Sequence, residues 1–141
     1  MDTSDDRVRV LVVEDYPDAA ESLRVLLALW GYDVRVAGNG EAALGTASWF
    51  QPAAVLIDLG LPGTDGFEVA RRLQQLPAAD IPVLVAATGH VGPDTRRRAW
   101  QAGFDFFVPK PFDVAYLREI LAGAVRCPDE YPDLCESSPQ S

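Results

Sequence analysis

The sequence is short of the residues from which soft-metal and redox sites are built, with one histidine and two cysteines in 141 residues. Zinc is disfavoured on that ground, because its sites draw on imidazole and thiolate ligands. Cys127 and Cys135 lie together near the carboxyl end, at a spacing that matches no common zinc pattern. Two cysteines make no disulfide framework, so they read as reduced thiols. Basic charge is scarce as well: 12 Lys and Arg stand against 21 Asp and Glu, a formal net charge of −9. Such a chain repels phosphate backbones unless a basic face is strongly segregated, so direct nucleic-acid binding is not expected. The one local basic run, Arg96-Arg97-Arg98, reads as a solvated helix face. No apolar run approaches the ~20 residues a membrane helix needs. The start, Met1 to Arg7, is polar and acidic where a signal peptide would be basic and then apolar. A cytoplasmic protein without membrane association is expected. Repeats and low-complexity tracts are missing from the body of the chain, and no Gly-x-Gly-x-x-Gly follows the first strand to suggest a dinucleotide enzyme.

What the sequence does contain is organised around Ala53 to Gly66. The apolar run Ala53-Ala54-Val55-Leu56-Ile57 ends abruptly in Asp58, and a Gly/Pro-rich turn and a helix start follow. An uninterrupted apolar run bounded by turn residues suits a strand covered on both faces, as in parallel sheets. Asp58 then sits at the strand's carboxyl end, the edge where ligands gather in open α/β sheets.

The rest of the chain repeats that plan. Val8 to Val13 is β-branched and reads as the first strand, closed by Glu14 and Asp15. Pro17 suits a first helical turn, and Ala19, Leu23, Leu26, Leu27 and Trp30 recur at helical spacing until Gly31. Val34 to Ala37 is a short second strand, and Asn39-Gly40 opens a helix running to about Phe50. Asp65 with Glu68 has the form of a capping box, and Val69, Leu73 and Leu76 continue the third helix's apolar face. Pro82 to Ala87 gives a fourth strand ending in Thr88, and Pro93-Asp94 opens a helix that Gly103 stops. Phe104 to Val108 reads as the fifth strand, Asp113 as an N-cap, and Leu117, Ile120, Leu121 and Ala124 as the apolar line of the last helix. Trp30, Trp49 and Trp100 read as packing residues. Five strands alternating with five helices predict a doubly wound parallel α/β sheet in a single domain. That domain spans 7–126, after a flexible 1–6 and before an acidic tail at 127–141 whose composition predicts disorder.

In such a sheet every strand's carboxyl end faces one rim, which brings Glu14, Asp15, Asp58, Thr88 and Lys110 together. With the flavodoxin-like order 2-1-3-4-5, the first and third strands are neighbours, and Glu14 and Asp15 lie beside Asp58. Three carboxylates need a counter-charge, which Lys110 or a metal can supply. An all-oxygen site suits Mg²⁺, which keeps several waters and prefers phosphate as a further ligand. One Asp oxygen would then be free to attack phosphorus, with Lys110 and the Thr88 hydroxyl holding the transferred oxygens.

Taken in order, Val-Val-Glu14-Asp15, Asp58 with Leu61-Pro62 and Asp65-Gly66, Thr88-Gly89, and Phe107 three residues before Lys110-Pro111 resemble the receiver domain of two-component response regulators. The likeness covers about residues 7 to 125. It implies that Asp58 accepts a phosphoryl group from a phosphohistidine on a histidine kinase or histidine phosphotransfer protein. It implies Mg²⁺ ligation by Asp15, Asp58 and the Gly60 carbonyl, with Glu14 acting through a water. Thr88 and Lys110 would contact the phosphoryl group, and the Lys110 to Pro111 peptide would be cis. In the family's switch the threonine moves toward the phosphoryl group and an aromatic residue, here Phe107, turns inward behind it. The readout would be protein contacts of the fourth helix, fifth strand and fifth helix, with chemistry confined to self-directed phosphotransfer and autodephosphorylation.

Three positions depart from the common pattern. Phe107 lacks the hydroxyl of the tyrosine that many members carry, Gly60 lacks a side chain, and His90 brings an imidazole to the site mouth. Gly60 and His90 flank the route of an attacking water in the family and are candidates for setting the phosphoryl lifetime; an exposed loop histidine without a role is the plain alternative. A receiver-like interaction module that signals without phosphorylation, and a receiver fragment of a hybrid histidine kinase, are the competing functions, although Met1 and the polar tail favour a free-standing regulator. A metal-dependent phosphohydrolase is disfavoured because no Asp-x-Asp pattern stands at Asp58. The Leu- and Ala-rich last helix could serve a homodimer.

Overall fold

The computed structural model describes residues 7–61, 63, 65–77, 81–89, 92–110 and 113–126. Strands and helices alternate throughout: β1 (Arg9–Val13), α1 (Pro17–Leu29), β2 (Asp33–Ala37), α2 (Gly40–Phe50), β3 (Ala54–Asp58), α3 (Gly66–Leu73), β4 (Val83–Thr88), α4 (Pro93–Ala102), β5 (Phe106–Pro109) and α5 (Val114–Arg126). The strands form one parallel five-stranded sheet in the order β2-β1-β3-β4-β5, a flavodoxin-like arrangement. The expected fold and strand order therefore hold.

Strand alternation divides the core into two layers, since successive side chains point to opposite faces of a sheet. Val10, Val12, Leu56, Val85, Phe106 and Val108 meet α1 and α5 through Leu23, Leu27, Leu117, Ile120 and Leu121. Leu11, Val13, Val55, Ile57, Leu84, Ala86 and Phe107 meet α2, α3 and α4 on the other face. Both faces are covered, which is why the strands read as continuous apolar runs rather than as alternation.

Several boundaries differ from expectation for local reasons. β5 begins at Phe106, not Phe104. Phe104 is buried but lies before the ladder, with its ring edge-on to Phe67 at 6.4 Å, and Asp105 uses its carboxylate to accept the Leu84 N–H at 2.9 Å. At α3 only half of the capping box forms. Asp65 Oδ1 accepts the N–H groups of Phe67 and Glu68, whereas Glu68 pairs with Arg71 at 3.1 Å. α3 ends at Leu73, so Leu76 packs from beyond the helix. Asp113 caps α5 as expected, accepting from Tyr116, and Asn39, where the second helix was expected to open, caps α2 by accepting from Ala42. Trp49 is not a packing residue: it is 63% exposed, with the Arg35 guanidinium over its ring. Residues 1–6, expected to be flexible, the tail at 127–141 with Cys127 and Cys135, expected to be disordered, and the side chain of Ala124 lie outside what is described.

The arginine run is more than a solvated face. Arg97 pairs with Asp94, Arg96 lies over the Phe107 ring at 5.3 Å, and Arg98 lies over the Phe67 ring at 4.3 Å. α4 faces the sheet through Ala99 and Ala102, both fully buried. Small residues bring the helix close, and the arginine stems on either side cover the neighbouring aromatic rings.

Candidate phosphoryl-transfer site

The carboxyl ends of β1, β3, β4 and β5 deliver the site. Because β1 and β3 pair in register, with Val13 opposite Ile57, the residues that follow them, Glu14 and Asp58, come out side by side. Two hydrogen bonds hold Glu14: its N–H continues the ladder to the Ala37 carbonyl at 2.9 Å, and its Oε2 accepts the Tyr16 N–H at 3.2 Å. Thr88, at the end of β4, is buried, and its carbonyl accepts the Lys110 N–H at 2.8 Å. That bond fixes the start of the loop after β5 and aims Lys110 across the rim.

Lys110 Nζ donates to Asp58 Oδ2 at 2.6 Å and stands 3.6 Å from Glu14 Oε1. The other Asp58 oxygen, Oδ1, accepts the Gly60 N–H at 2.8 Å. The side chains of Asp58, Glu14 and Lys110 are 12%, 5% and 31% exposed, so the acceptor carboxylate is shielded but reachable. Burial pushes the Glu14 carboxyl up, the Asp58 charge and hydrogen bond add to it, and the Tyr16 N–H and Lys110 oppose it. Burial alone would pull the Lys110 ammonium down. The hydrogen bond that Lys110 donates to Asp58 and the charges of Asp58 and Glu14 outweigh it, so Lys110 is raised and stays protonated. Lys110 is the only lysine in the chain.

Of the residues singled out in the sequence, Glu14, Asp58, Thr88 and Lys110 meet at one rim, and Phe107 lies buried beside Ala86 on the strand pair below Thr88. Asp15 follows Glu14 with an exposed side chain, and no three acids among the described residues are gathered closely enough to hold an ion by themselves. The crevice thus forms around two carboxylates and a lysine, with Asp15 at its margin. His90 and the Lys110 to Pro111 peptide lie outside the described residues. Two contributors were not anticipated. The Gly60 N–H as a donor to Asp58 was legible as the two-residue reach of an Asx turn. Arg96 over Phe107 had no sequence signal, since nothing in a run of three arginines says which one meets a ring.

The donor set tests well for a hard divalent cation. The side-chain ligands on offer are carboxylate oxygens, the buried pair carries more negative charge than one ammonium offsets, and Mg²⁺ is commonly held by only one or two carboxylates with waters completing its shell.

The sequence matches the Response regulator receiver domain family over residues 10–122. The chain belongs to the response-regulator receiver family. Among curated relatives, the response regulator MprA of Mycobacterium sp. (strain KMS) is 38% identical over 128 residues, covering 89% of this chain and 55% of that protein. The DNA-binding dual master transcriptional regulator RpaA of Synechocystis sp. is 33% identical over 132 residues, covering 92% of this chain and 54% of that one. The receiver therefore spans about half the length of the curated relatives it matches. Among solved structures, a CheY-like receiver domain from Methylobacillus flagellatus aligns with a TM-score of 0.75 and 35% identity over 84% of this chain and 98% of that one. The receiver domain of a sensor histidine kinase from Pseudomonas aeruginosa PAO1, whose active-site cleft coordinates a magnesium ion, aligns with a TM-score of 0.76 and 28% identity, over 84% and 98% of the two chains. No helix among the described residues of this receiver is long and apolar enough to cross a membrane.

Proposed function

We propose that this receiver is a phosphorylation-activated switch in which Asp58 accepts a phosphoryl group from a phosphohistidine on a histidine kinase or histidine phosphotransfer protein. The observation that carries the reading is the Lys110 to Asp58 contact of 2.6 Å beside buried Glu14, at the carboxyl end of the central strand. An Asp58 oxygen attacks phosphorus, the bond from phosphorus to the imidazole nitrogen breaks, and its electron pair returns to the ring. The Gly60 N–H holds Asp58 Oδ1 and so limits rotation of the carboxylate. The Lys110 ammonium passes from Asp58 to an oxygen of the transferred group, so that its charge follows the charge it neutralises. Asp15, Asp58 and the Gly60 carbonyl, with Glu14 through a water, would hold Mg²⁺, which when bound supplies positive charge to the phosphoryl oxygens.

The product is read through contacts of α4, β5 and α5 with a protein target, after Thr88 turns its hydroxyl to the phosphoryl group and Phe107 stays packed inward behind it. Because a ligand shifts an equilibrium only by its differential affinity for the two states, the Thr88 contact belongs mainly to the active one. Gly60, with no side chain over the acceptor, leaves the approach of a hydrolytic water open and shortens the phosphoryl lifetime. The chemistry is self-directed, with no turnover of free substrate. Intact-mass analysis after incubation with acetyl phosphate tests the reading. One adduct is expected with Mg²⁺, little with chelator, and none in Asp58→Asn; an absence of adduct in the unaltered protein with Mg²⁺ would overturn it.

A further inference from the structure

We propose that Arg96 is a positioning residue for the switch, holding the Phe107 ring inward and so linking the exposed side of α4 to Thr88 and the acceptor site. The inference rests on the phosphoacceptor reading above and names a regulator of that same site. Phe107 pairs with Ala86 and Thr88 with Pro109, so the ring lies two residues behind the threonine along the β4 and β5 pair. Its cross-strand partner, Ala86, is small, and α4 brings the small buried residues Ala99 and Ala102 to the same core layer. Phe107 is nonetheless only 6% exposed.

The Arg96 guanidinium covers it, 5.3 Å from the ring centroid, while Arg96 itself stands on the exposed side of the helix. A cation over a ring face is attractive only while the ring presents that face, so the contact favours the inward position and is lost in an outward one. The neighbouring arginines are committed elsewhere. Arg97 pairs with Asp94 within the helix, and Arg98 covers Phe67 on α3 at 4.3 Å. Phe107 also has no hydroxyl to reward an outward position with a hydrogen bond, so the balance between the two positions falls to packing and to Arg96.

The test uses Arg96→Met, which keeps an apolar stem without the cation, and Arg96→Lys, which keeps a cation. The protein carries 4-fluorophenylalanine, the Phe107 signal is assigned by its loss in Phe107→Leu, and fluorine NMR is read beside the initial rate of adduct formation from acetyl phosphate with Mg²⁺. Arg96→Met is expected to move the Phe107 resonance toward a solvent-exposed position and to slow adduct formation by about two- to fivefold. Arg96→Lys is expected to recover at least half of both effects, and Arg98→Met to leave the Phe107 resonance in place. A Phe107 resonance unmoved in Arg96→Met would overturn the proposal, as would a moved resonance with an unchanged rate. If the unaltered protein forms no adduct at all, the phosphoacceptor reading fails, and a moved resonance would then show the ring contact without a switch for it to serve.

Discussion

Lys110, as the only lysine in the chain, can be followed by amine chemistry without ambiguity. Its hydrogen bond to Asp58 and the two facing acids keep the ammonium charged, which withholds the free amine that such reagents attack. Asp58→Ala is therefore expected to speed labelling of Lys110 several-fold, read by peptide mass against the chain's amino terminus; an unchanged rate would mean that the pair is not held in solution. A second residue, Asp105, tests the electrostatics away from the site. Burial raises its carboxyl, and the Leu84 N–H only partly offsets this. The folded protein binds that proton more tightly than the unfolded chain, so stability falls as pH rises from the unfolded carboxylate range through the raised folded value, and the penalty is complete above it. Asn at this position keeps an acceptor for Leu84 without the charge. Asp105→Asn is expected to match or exceed the native melting temperature at neutral pH, with its advantage shrinking as pH falls through the acid range. An advantage that grows on acidification would contradict the assignment.

At the scale of elements, the joint between α3 and α4 is held at one glycine. Gly103 ends α4 with a φ of +105°, and a Cβ there would fall 2.2 Å from Gln74 Nε2. That amide donates to the carbonyls of Ala70 and Ala102 at 2.9 and 2.8 Å, joining the last turns of the two helices. Gly103→Ala is expected to cost roughly 2 kcal/mol, from left-handed backbone strain and the displaced amide, measured by urea unfolding. Asp65→Ala removes a cap that serves two N–H groups and is expected to cost about 1 kcal/mol by the same measurement. Helix starts were legible in the sequence because caps are local: Asn39, Asp65 and Asp113 each reach an N–H two or three residues ahead. The start of β5 was not, because Phe104 and Phe106 are equally apolar and only the pairing with β4 decides which one enters the ladder. Glu68 turned to Arg71 rather than to the cap for a similar reason: two local partners competed, and the helix-surface ion pair won.

Across the whole molecule, the alternation of strands and helices was legible because buried parallel strands leave so plain a pattern, whereas the order 2-1-3-4-5 entered as the flavodoxin-like case and not from the pattern itself. The site followed from the fold, since four strand ends carried Glu14, Asp58, Thr88 and Lys110 to a single rim. What pattern could not supply was which side chains meet between packed elements, as Arg96 of α4 meets Phe107 of β5. The same geometry implies linkage between the rim and global stability. If the crevice binds Mg²⁺ when folded and not when unfolded, saturating metal at a hundred times its dissociation constant stabilises the fold by about 2.7 kcal/mol. A rise in melting temperature with Mg²⁺ is expected in the native protein, and a much smaller one in Asp58→Asn.

Whether Asp58 takes the phosphoryl group is read by borohydride reduction of the protein after acetyl phosphate and Mg²⁺, followed by peptide mapping. An acyl phosphate is reduced to an alcohol, so homoserine is expected at position 58 and nowhere else. Homoserine at position 15, or at any other acid while Asp58 stays intact, would contradict it.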